Sequence, residues 1–584
     1  MARRTPVIAE TVEEEVLSPT SMPDSFYNQM YAWIYSGTQV IWLYTEGDED
    51  RAERAIKEFA ADPERTGSPA PRDQRFTVHT WDLIHGCTWV GLEPKEREAT
   101  RDLHAALRAA KTNITTNSII VARDLGHLLN APNNVMLRRD LAEVCKHYEL
   151  QSRNILCPIV IIANTPSPHP DIKDYVNVVD IPWPGKSQIR AAVVDYIVES
   201  ARQTGGNVNG MTPLFMDRLA EALLGLTIEE GRKILGYAMA YTGINEQIFE
   251  TISDQKALSI RKVEGLTYIP HRKIADATEL GGFDAYLEFL EDKRATYTPI
   301  AHELGIERPR GVVLLGPPGT AKTTAAKISA KTLGLDLVIM DIAAMFKSLV
   351  GESERQIRAA LNSIAAMNKV ALMIDELDKV LAGAHKSQSN DGGVSSRILS
   401  YLLSWLANRN MADATDNRTF VIVTMNRTAG IPSEMLRPGR FDRIFSTLLP
   451  DQEARKSILR IHLEKRNVPV DNIDISGLAE ATEGFAGGDL EEMVISARAL
   501  AFSRATRAYE AGGPKPTQAS IAPTTDDLLT VKAKIIPMSV LDKEDIDAIT
   551  KFCENRTTPV GGIAAPPTPT RRRVSTRNTD ASSN

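Results

Sequence analysis

The 584-residue chain is poor in cysteine: Cys87, Cys145, Cys157 and Cys553 are all it has, with no C-x-x-C pair and no repeated spacing. This excludes a disulfide framework or a cysteine-built zinc site and fits a reducing compartment. Long apolar runs are missing as well, since Val370 to Ile374 and Phe420 to Val423 fall far short of the roughly 20 residues that cross a bilayer. No membrane span is expected. Nor is there a positive excess: 68 Lys and Arg face 75 Asp and Glu, a net charge of −7, which excludes an obligate polycationic nucleic-acid binder. The N-terminus has no secretory apolar core, and after Arg3-Arg4 it turns acidic at Glu10 and Glu13 to Glu15, unlike a transit peptide. A cytoplasmic location is the expectation.

What is present is an ordinary globular composition, 43% hydrophobic and 24% charged, on a chain long enough for about four domains. Met1 to Asp24, Ala511 to Asp527 and Thr557 to Asn584 are turn-rich and polar, and bury little. Between them short β-branched runs alternate with longer helical patterns, which reads as α/β with a largely parallel sheet. In the second half the strand candidates are Gly311 to Leu315, Leu337 to Met340, Lys369 to Ile374, Thr419 to Met425 and Ile444 to Leu448. After Pro450 the strands stop and helical spacing takes over, as in Leu490, Met493, Val494, Ala497 and Leu500.

The first half repeats this plan without its chemistry. The strand Val40 to Tyr44 runs into Thr45-Glu46-Gly47-Asp48-Glu49-Asp50, an acidic turn that should repel a triphosphate. Ile119 to Ala122 ends at Arg123-Asp124, and Pro158 to Ala163 ends at Asn164; these read as counterparts of the strands ending at Asp375 and Asn426. Gly225-Leu-Thr-Ile-Glu-Glu lines up with Gly484-Phe-Ala-Gly-Gly-Asp, each opening a helix, the first with Thr227 and Glu230 at capping-box spacing. A divergent tandem duplication accounts for this, with two unrelated α/β units as the alternative.

Gly316-Pro317-Pro318-Gly319-Thr320-Ala321-Lys322-Thr323, followed by Thr324, leaves a strand and opens a helix, the context a phosphate-binding loop needs. Its backbone N–H groups and the helix dipole favour an anion, Lys322 reaches the β and γ oxygens, and Thr323 offers a hydroxyl to Mg²⁺. Ala321 stands where glycine usually precedes the lysine, and a negative φ there would accommodate it at little cost. The apolar run before Asp375-Glu376 ends in two carboxylates: Asp375 for the Mg²⁺ shell, Glu376 to polarise the attacking water. Asn426, at the tip of the next strand, has an amide for the γ-phosphate or the water. Arg440 and Arg443 lie on a loop too far along to curl back easily, so a neighbouring subunit's γ-phosphate is their natural target; ion pairing with Asp442 or Glu434 is the alternative.

With those residues in place, the half from about Lys273 to Arg556 resembles the AAA family of ATPases. Gly316 to Thr323 matches Walker A, Asp375 and Glu376 match Walker B, Asn426 matches sensor 1, and Arg440 with Arg443 match the paired arginine fingers. Glu279-Leu-Gly281-Gly282 resembles the adenine-side entry segment, and Gly487-Gly488 the small pair in the lid near adenine and ribose. Over its whole length the chain is similar to the AAA proteins encoded by cyanobacteria and plastids, in which a degenerate ATPase-like domain precedes one intact module. Leu349-Val-Gly-Glu-Ser-Glu, Asp391-Gly-Gly-Val-Ser-Ser-Arg and Ser404-Trp405 carry that likeness.

The resemblance implies a P-loop α/β body at 285–450 with a helical lid at 451–555. Before it come an arm at 1–24, a degenerate ATPase-like α/β domain at 25–184, a lid-like helical domain at 185–258 and a linker at 259–284; a basic tail occupies 556–584. It implies an ATPase using ATP and Mg²⁺, a homo-oligomeric, hexameric ring in which arginines reach across subunits, and an unknown protein substrate that is remodelled or disassembled. Leu349 occupies the pore-loop place where threading members carry an aromatic residue, which weakens the case for processive unfolding. The rival readings are a nucleic-acid motor or loader, with Lys347, His385-Lys386 and the tail arginines touching phosphates, and a slow regulatory switch or scaffold.

Overall fold

The computed structural model describes residues 22–45, 47–61, 76–87, 101–102, 104–107, 116–151, 156–165, 167–204, 212–263, 265–345, 352–367, 369–379, 394–408, 419–428, 431, 435, 437, 439–554 and 556–562. Two compact units divide the chain: Met1–Tyr268 with Met345–Asn368 and Thr415–Asn417, and Ile269–Ala344 with Lys369–Ala414 and Arg418–Asn584. Helix Glu352–Met367 thus belongs to the first unit, although its sequence lies inside the ATPase-like half.

The first unit holds a six-stranded sheet built from β1 (Val40–Tyr44), β2 (Thr77–Asp82), β3 (Gly86–Cys87), β4 (Ser118–Ala122), β5 (Ile159–Ala163) and β6 (Val176–Asp180), in the order β3-β2-β4-β5-β1-β6. All pairings are parallel except the β2–β3 ribbon. Its central strands are buried on both faces, as apolar runs without alternation require. Val40 and Trp42 of β1 join one core with Ile120, Ile159 and Ile161, while Ile41 and Leu43 join the other with Ile56, Phe59 and Val160. Helix α1 (Glu49–Ala61) follows β1 directly.

Helices after β6 form a separate apolar core around Leu219, Leu223, Leu235 and Ile248. Among them is α2 (Ile228–Thr242), capped by Thr227 Oγ1, which accepts from Glu230 N–H at 3.2 Å. The Glu230 carboxylate turns instead to the Ser259 hydroxyl, 2.9 Å away, because that neighbour competes for it.

The second unit's sheet comprises β7 (Leu266–Ile269), β8 (Gly311–Leu315), β9 (Asp336–Met340), β10 (Val370–Ile374), β11 (Phe420–Met425), β12 (Arg443–Ser446) and β13 (Thr558–Pro559), in the order β13-β12-β8-β11-β10-β9-β7. Strand β13 corrects the expectation that strands stop after Pro450. A two-residue edge strand has no hydrophobic period to reveal it. Helix α3 (Asp284–Arg294) and helix α4 (Lys322–Leu333) cover one face, with Tyr286, Phe289, Ala326 and Leu333 packed on Leu314, Ile422 and Phe445. The lid is built on α5 (Gln452–Glu464) and α6 (Gly487–Glu510), joined through Leu459, Leu463, Leu490, Met493 and Val494.

The two sheets share one core arrangement. β6-β1-β5-β4-β2 in the first corresponds to β12-β8-β11-β10-β9 in the second. The chain is a P-loop-type α/β body with a helical lid, preceded by a degenerate copy of the same plan.

Candidate functional site

At the C-terminal end of β8 the chain turns at Gly316, where a Cβ would lie 2.1 Å from Thr447 O, so only glycine fits. The loop returns over Pro318 and Gly319 into α4. Thr320 is buried, donates to Pro317 O at 2.8 Å and shares a 3.0 Å hydrogen bond with the Thr447 hydroxyl, which fixes the loop to the end of β12. Lys322 is buried too, and its ammonium donates to Gly316 O at 2.8 Å and Pro317 O at 2.7 Å. Burial lowers its pKa to about 8, against the opposing pull of Asp378, Asp375 and Glu376.

Ala321 has φ +58° and ψ +21°, a left-handed conformation, which corrects the expected negative φ. The loop must reverse hand to enter α4. That is why glycine suits the position, and alanine there costs roughly 1–2 kcal/mol.

The carboxylates stand at the end of β10, separated from β8 by β11. Glu376 also has a left-handed backbone, φ +50°, unusual for a residue with a side chain. Its N–H donates to Thr424 Oγ1 at 2.9 Å, and its carboxylate accepts from Asn426 Nδ2 at 3.1 Å and pairs with the Lys379 ammonium. The Thr424 hydroxyl donates to Asp375 Oδ1. In return Asp378, buried after β10, accepts from Asn426 N–H at 3.1 Å. Each strand end is therefore clamped by a side chain of the other. Thr424 and Asp378 were not among the sequence candidates, although one lies two residues before Asn426 and the other three after Asp375.

Across the loop, Gly488 N–H of α6 donates to Gly319 O at 2.9 Å. A Cβ on Gly487 would lie 3.2 Å from the same oxygen, so the small pair lets lid and loop approach. Gly281 and Gly282 (φ +76°) pack equally closely on Ile458 and Ala454 of α5. All these parts border one cavity of about 860 Å³. It brings together Gly281, Gly282, Pro318, Gly319, Thr320, Ala321, Lys322, Thr323, Thr324, Asp375, Glu376, Asn426, Gly487 and Gly488 of the expected set.

Arg440 and Arg443 are absent from its lining. The Arg443 guanidinium lies over the Phe289 ring, 5.2 Å from its centroid. Asp442, the alternative partner, is engaged by the backbone N–H groups of Arg310 and Gly311 at 2.6 and 2.9 Å. Leu349, Lys347, His385, Lys386 and the tail arginines lie outside the described residues.

Residues 312–448 match the model of the ATPase family associated with various cellular activities, AAA, and residues 26–181 match that of the SpoVK-like AAA ATPase N-terminal domain. The chain belongs to the AAA ATPases. The AAA domain-containing protein ycf46 of Pyropia yezoensis is 28% identical over 476 residues, 81% of this chain and 88% of its own length. The proteasome-activating nucleotidase of Thermococcus kodakarensis is 29% identical over 345 residues, 58% of this chain and 79% of its own. The cell division cycle protein 48 homolog of Archaeoglobus fulgidus is 34% identical over 242 residues, 40% and 31% respectively. This AAA protein is accordingly an enzyme that hydrolyses ATP. No described helix is long and apolar enough to cross a membrane.

Proposed function

We propose that this AAA ATPase works as a homo-oligomeric, hexameric ring that couples Mg²⁺-dependent ATP hydrolysis to remodelling or disassembly of a protein complex. The observation that carries the chemistry is the convergence of Lys322, Asp375, Glu376 and Asn426 on one cavity large enough for a nucleotide. Lys322 and the loop N–H groups take the phosphates. Glu376, steered by the Asn426 amide, orients and polarises water for in-line attack on the γ-phosphorus, and must leave Lys379 to do so.

Thr323 and Asp375 offer hard oxygen donors and no protein cage, the arrangement Mg²⁺ favours when phosphates supply the rest of its shell. The bound ion would neutralise charge developing on the transferred phosphoryl group. The ring reading is supported by Arg440 and Arg443 standing outside their own chain's cavity, which leaves transition-state charge to be met by a neighbour. The similarity to a relative named for activating the proteasome supports a protein substrate.

Glu376→Gln should retain ATP binding, hold the oligomer together and lower turnover by about 10²- to 10⁴-fold, the range for loss of a general base. Phosphate release and size-exclusion with ATP check this. Unchanged turnover would sink the mechanism, and a monomer under all nucleotide conditions would sink the ring.

A further inference from the structure

One wall of the cavity comes from a segment that none of the sequence motifs marks. β13 runs parallel to β12, with Thr558 opposite Phe445 and Pro559 opposite Ser446. The chain is then fastened twice more: Val560 N–H donates to Ser446 O at 3.1 Å, and Val560 O accepts from Tyr286 N–H at 3.1 Å, at the start of α3. Val560 is buried in the same core as Tyr286 and Phe445. Gly562, at φ +100°, closes a turn by donating to Pro559 O at 3.1 Å. These ties hold Gly561 against Gly282, so closely that a Cβ on Gly561 would lie 3.3 Å from Gly282 O. Pro559 through Gly562 line the cavity together with Gly281 and Gly282.

The phosphate end of the cavity is fixed by Lys322 and the loop. A base must then take walls away from that end, among them Gly281-Gly282, Gly561-Gly562 and the face of α5 around Ile458 and His462, beside the Lys465–Glu279 ion pair. Glycine walls present flat peptide groups without side chains, so a planar ring can reach van der Waals contact with them. His462 is held neutral more readily than usual, because burial lowers its pKa, and so adds no fixed charge beside the base. We infer that Pro559 to Gly562 form a wall of the base pocket, making purine nucleotide affinity and base selectivity depend on this C-terminal return. The inference rests on the reading of the cavity as the nucleotide site.

Inorganic tripolyphosphate, which has the phosphates and no base, separates the two. The full chain, Gly561→Leu, Lys322→Ala and a chain lacking 563–584 are titrated with ATP, GTP and tripolyphosphate. Gly561→Leu should weaken ATP by at least about tenfold and leave tripolyphosphate within about twofold, while loss of 563–584 changes neither. Gly561→Ala, with its single methyl at a contact that can give slightly, should fall between. Equal weakening of ATP and tripolyphosphate by Gly561→Leu, or no weakening of either, overturns the wall. If the full chain binds neither ligand, or Lys322→Ala loses neither, the nucleotide-site reading itself falls.

Discussion

The two halves carry one strand order and opposite contents at the same place. After β8 the chain opens into a glycine-rich loop, which the lid helix α6 meets through Gly488 N–H and Gly319 O, beside a cavity of about 860 Å³. After β1 the turn is short, and Asp48 is buried in it. The Asp48 carboxylate pairs with the buried Arg51, and the nearby N–H of Ile228, the first residue of the lid helix α2, favours its charged form against burial. Thr45 Oγ1 accepts from Asp48 N–H at 3.0 Å, and Arg51 Nη1 donates to Pro182 O at 2.7 Å. The first half thus supplies its own anion to the lid-helix N-terminus, where the second leaves room for a phosphate. The residues after β1 close the place that the residues after β8 hold open.

The largest effect should come from breaking the internal anion. Asp48→Ala leaves the Arg51 guanidinium buried without its carboxylate, and removal of one partner from a buried pair costs about 3–5 kcal/mol. Burial already raises the Asp48 pKa, with Arg51 pulling the other way, so Asp48→Asn should cost less than the alanine change. Chemical denaturation monitored in each half checks this. ATP affinity should stay within about twofold of the parent, because the cavity of the second half contains none of these atoms. A large loss of ATP binding in Asp48→Asn would show that the first half is not a fixed block.

A smaller effect, set by pH, belongs to the second half alone. Lys322 has its pKa lowered to about 8 from 10.5 by burial. The unfolded chain therefore holds more protons through this window, and the stability cost of burying the ammonium fades as pH rises through about 8. ATP binding has the opposite sign, since the phosphates need the charged form. Affinity should be flat below pH 8 and fall by up to about tenfold per unit above it, with proton uptake on binding. Calorimetry in buffers of different ionisation enthalpy measures this. Flat affinity from pH 7 to about 9.5 would mean the ammonium is not the phosphate partner.

Much of the comparison was legible in the sequence because it lies in contiguous residues. Apolar strands buried on both faces announce themselves as unbroken runs, and β1, β4, β5, β8, β10 and β11 fell where those runs are. The site motifs are strand-end loops whose residue types are dictated by phosphate chemistry. β2 was invisible because Thr77-Val-His-Thr-Trp-Asp mixes polar residues into a strand that buries His79 and Trp81. The clamps of Thr424 and Asp378, the burial of Asp48 and the wall at Gly561 depend on residues brought together by tertiary contacts, which no linear pattern encodes. The half-to-half register also needed backbone angles. Asp124, at φ +60° after β4, corresponds to Glu376, at φ +50° after β10, and so not to Asp375 as sequence spacing had it.

The left-handed residues outside glycine allow the finest test. Ala321→Gly removes the methyl group's clash at φ +58°, worth roughly 1–2 kcal/mol, but frees the unfolded chain by about 0.4–1 kcal/mol. The net gain should be at most about 1.6 kcal/mol, or about 3–6 °C in melting temperature for a unit of this size. ATP affinity should not move, because both residues present the same N–H to the phosphates. Asp124→Gly relieves a residue of the same left-handed conformation in the first half, at φ +60°. Aspartate tolerates this region better than alanine, since its short polar side chain can bond locally, so its gain should be smaller or nil. If Asp124→Gly stabilises more than Ala321→Gly, the loop before Lys322 is not the more strained of the two, and alanine there has been accommodated by the rest of the loop.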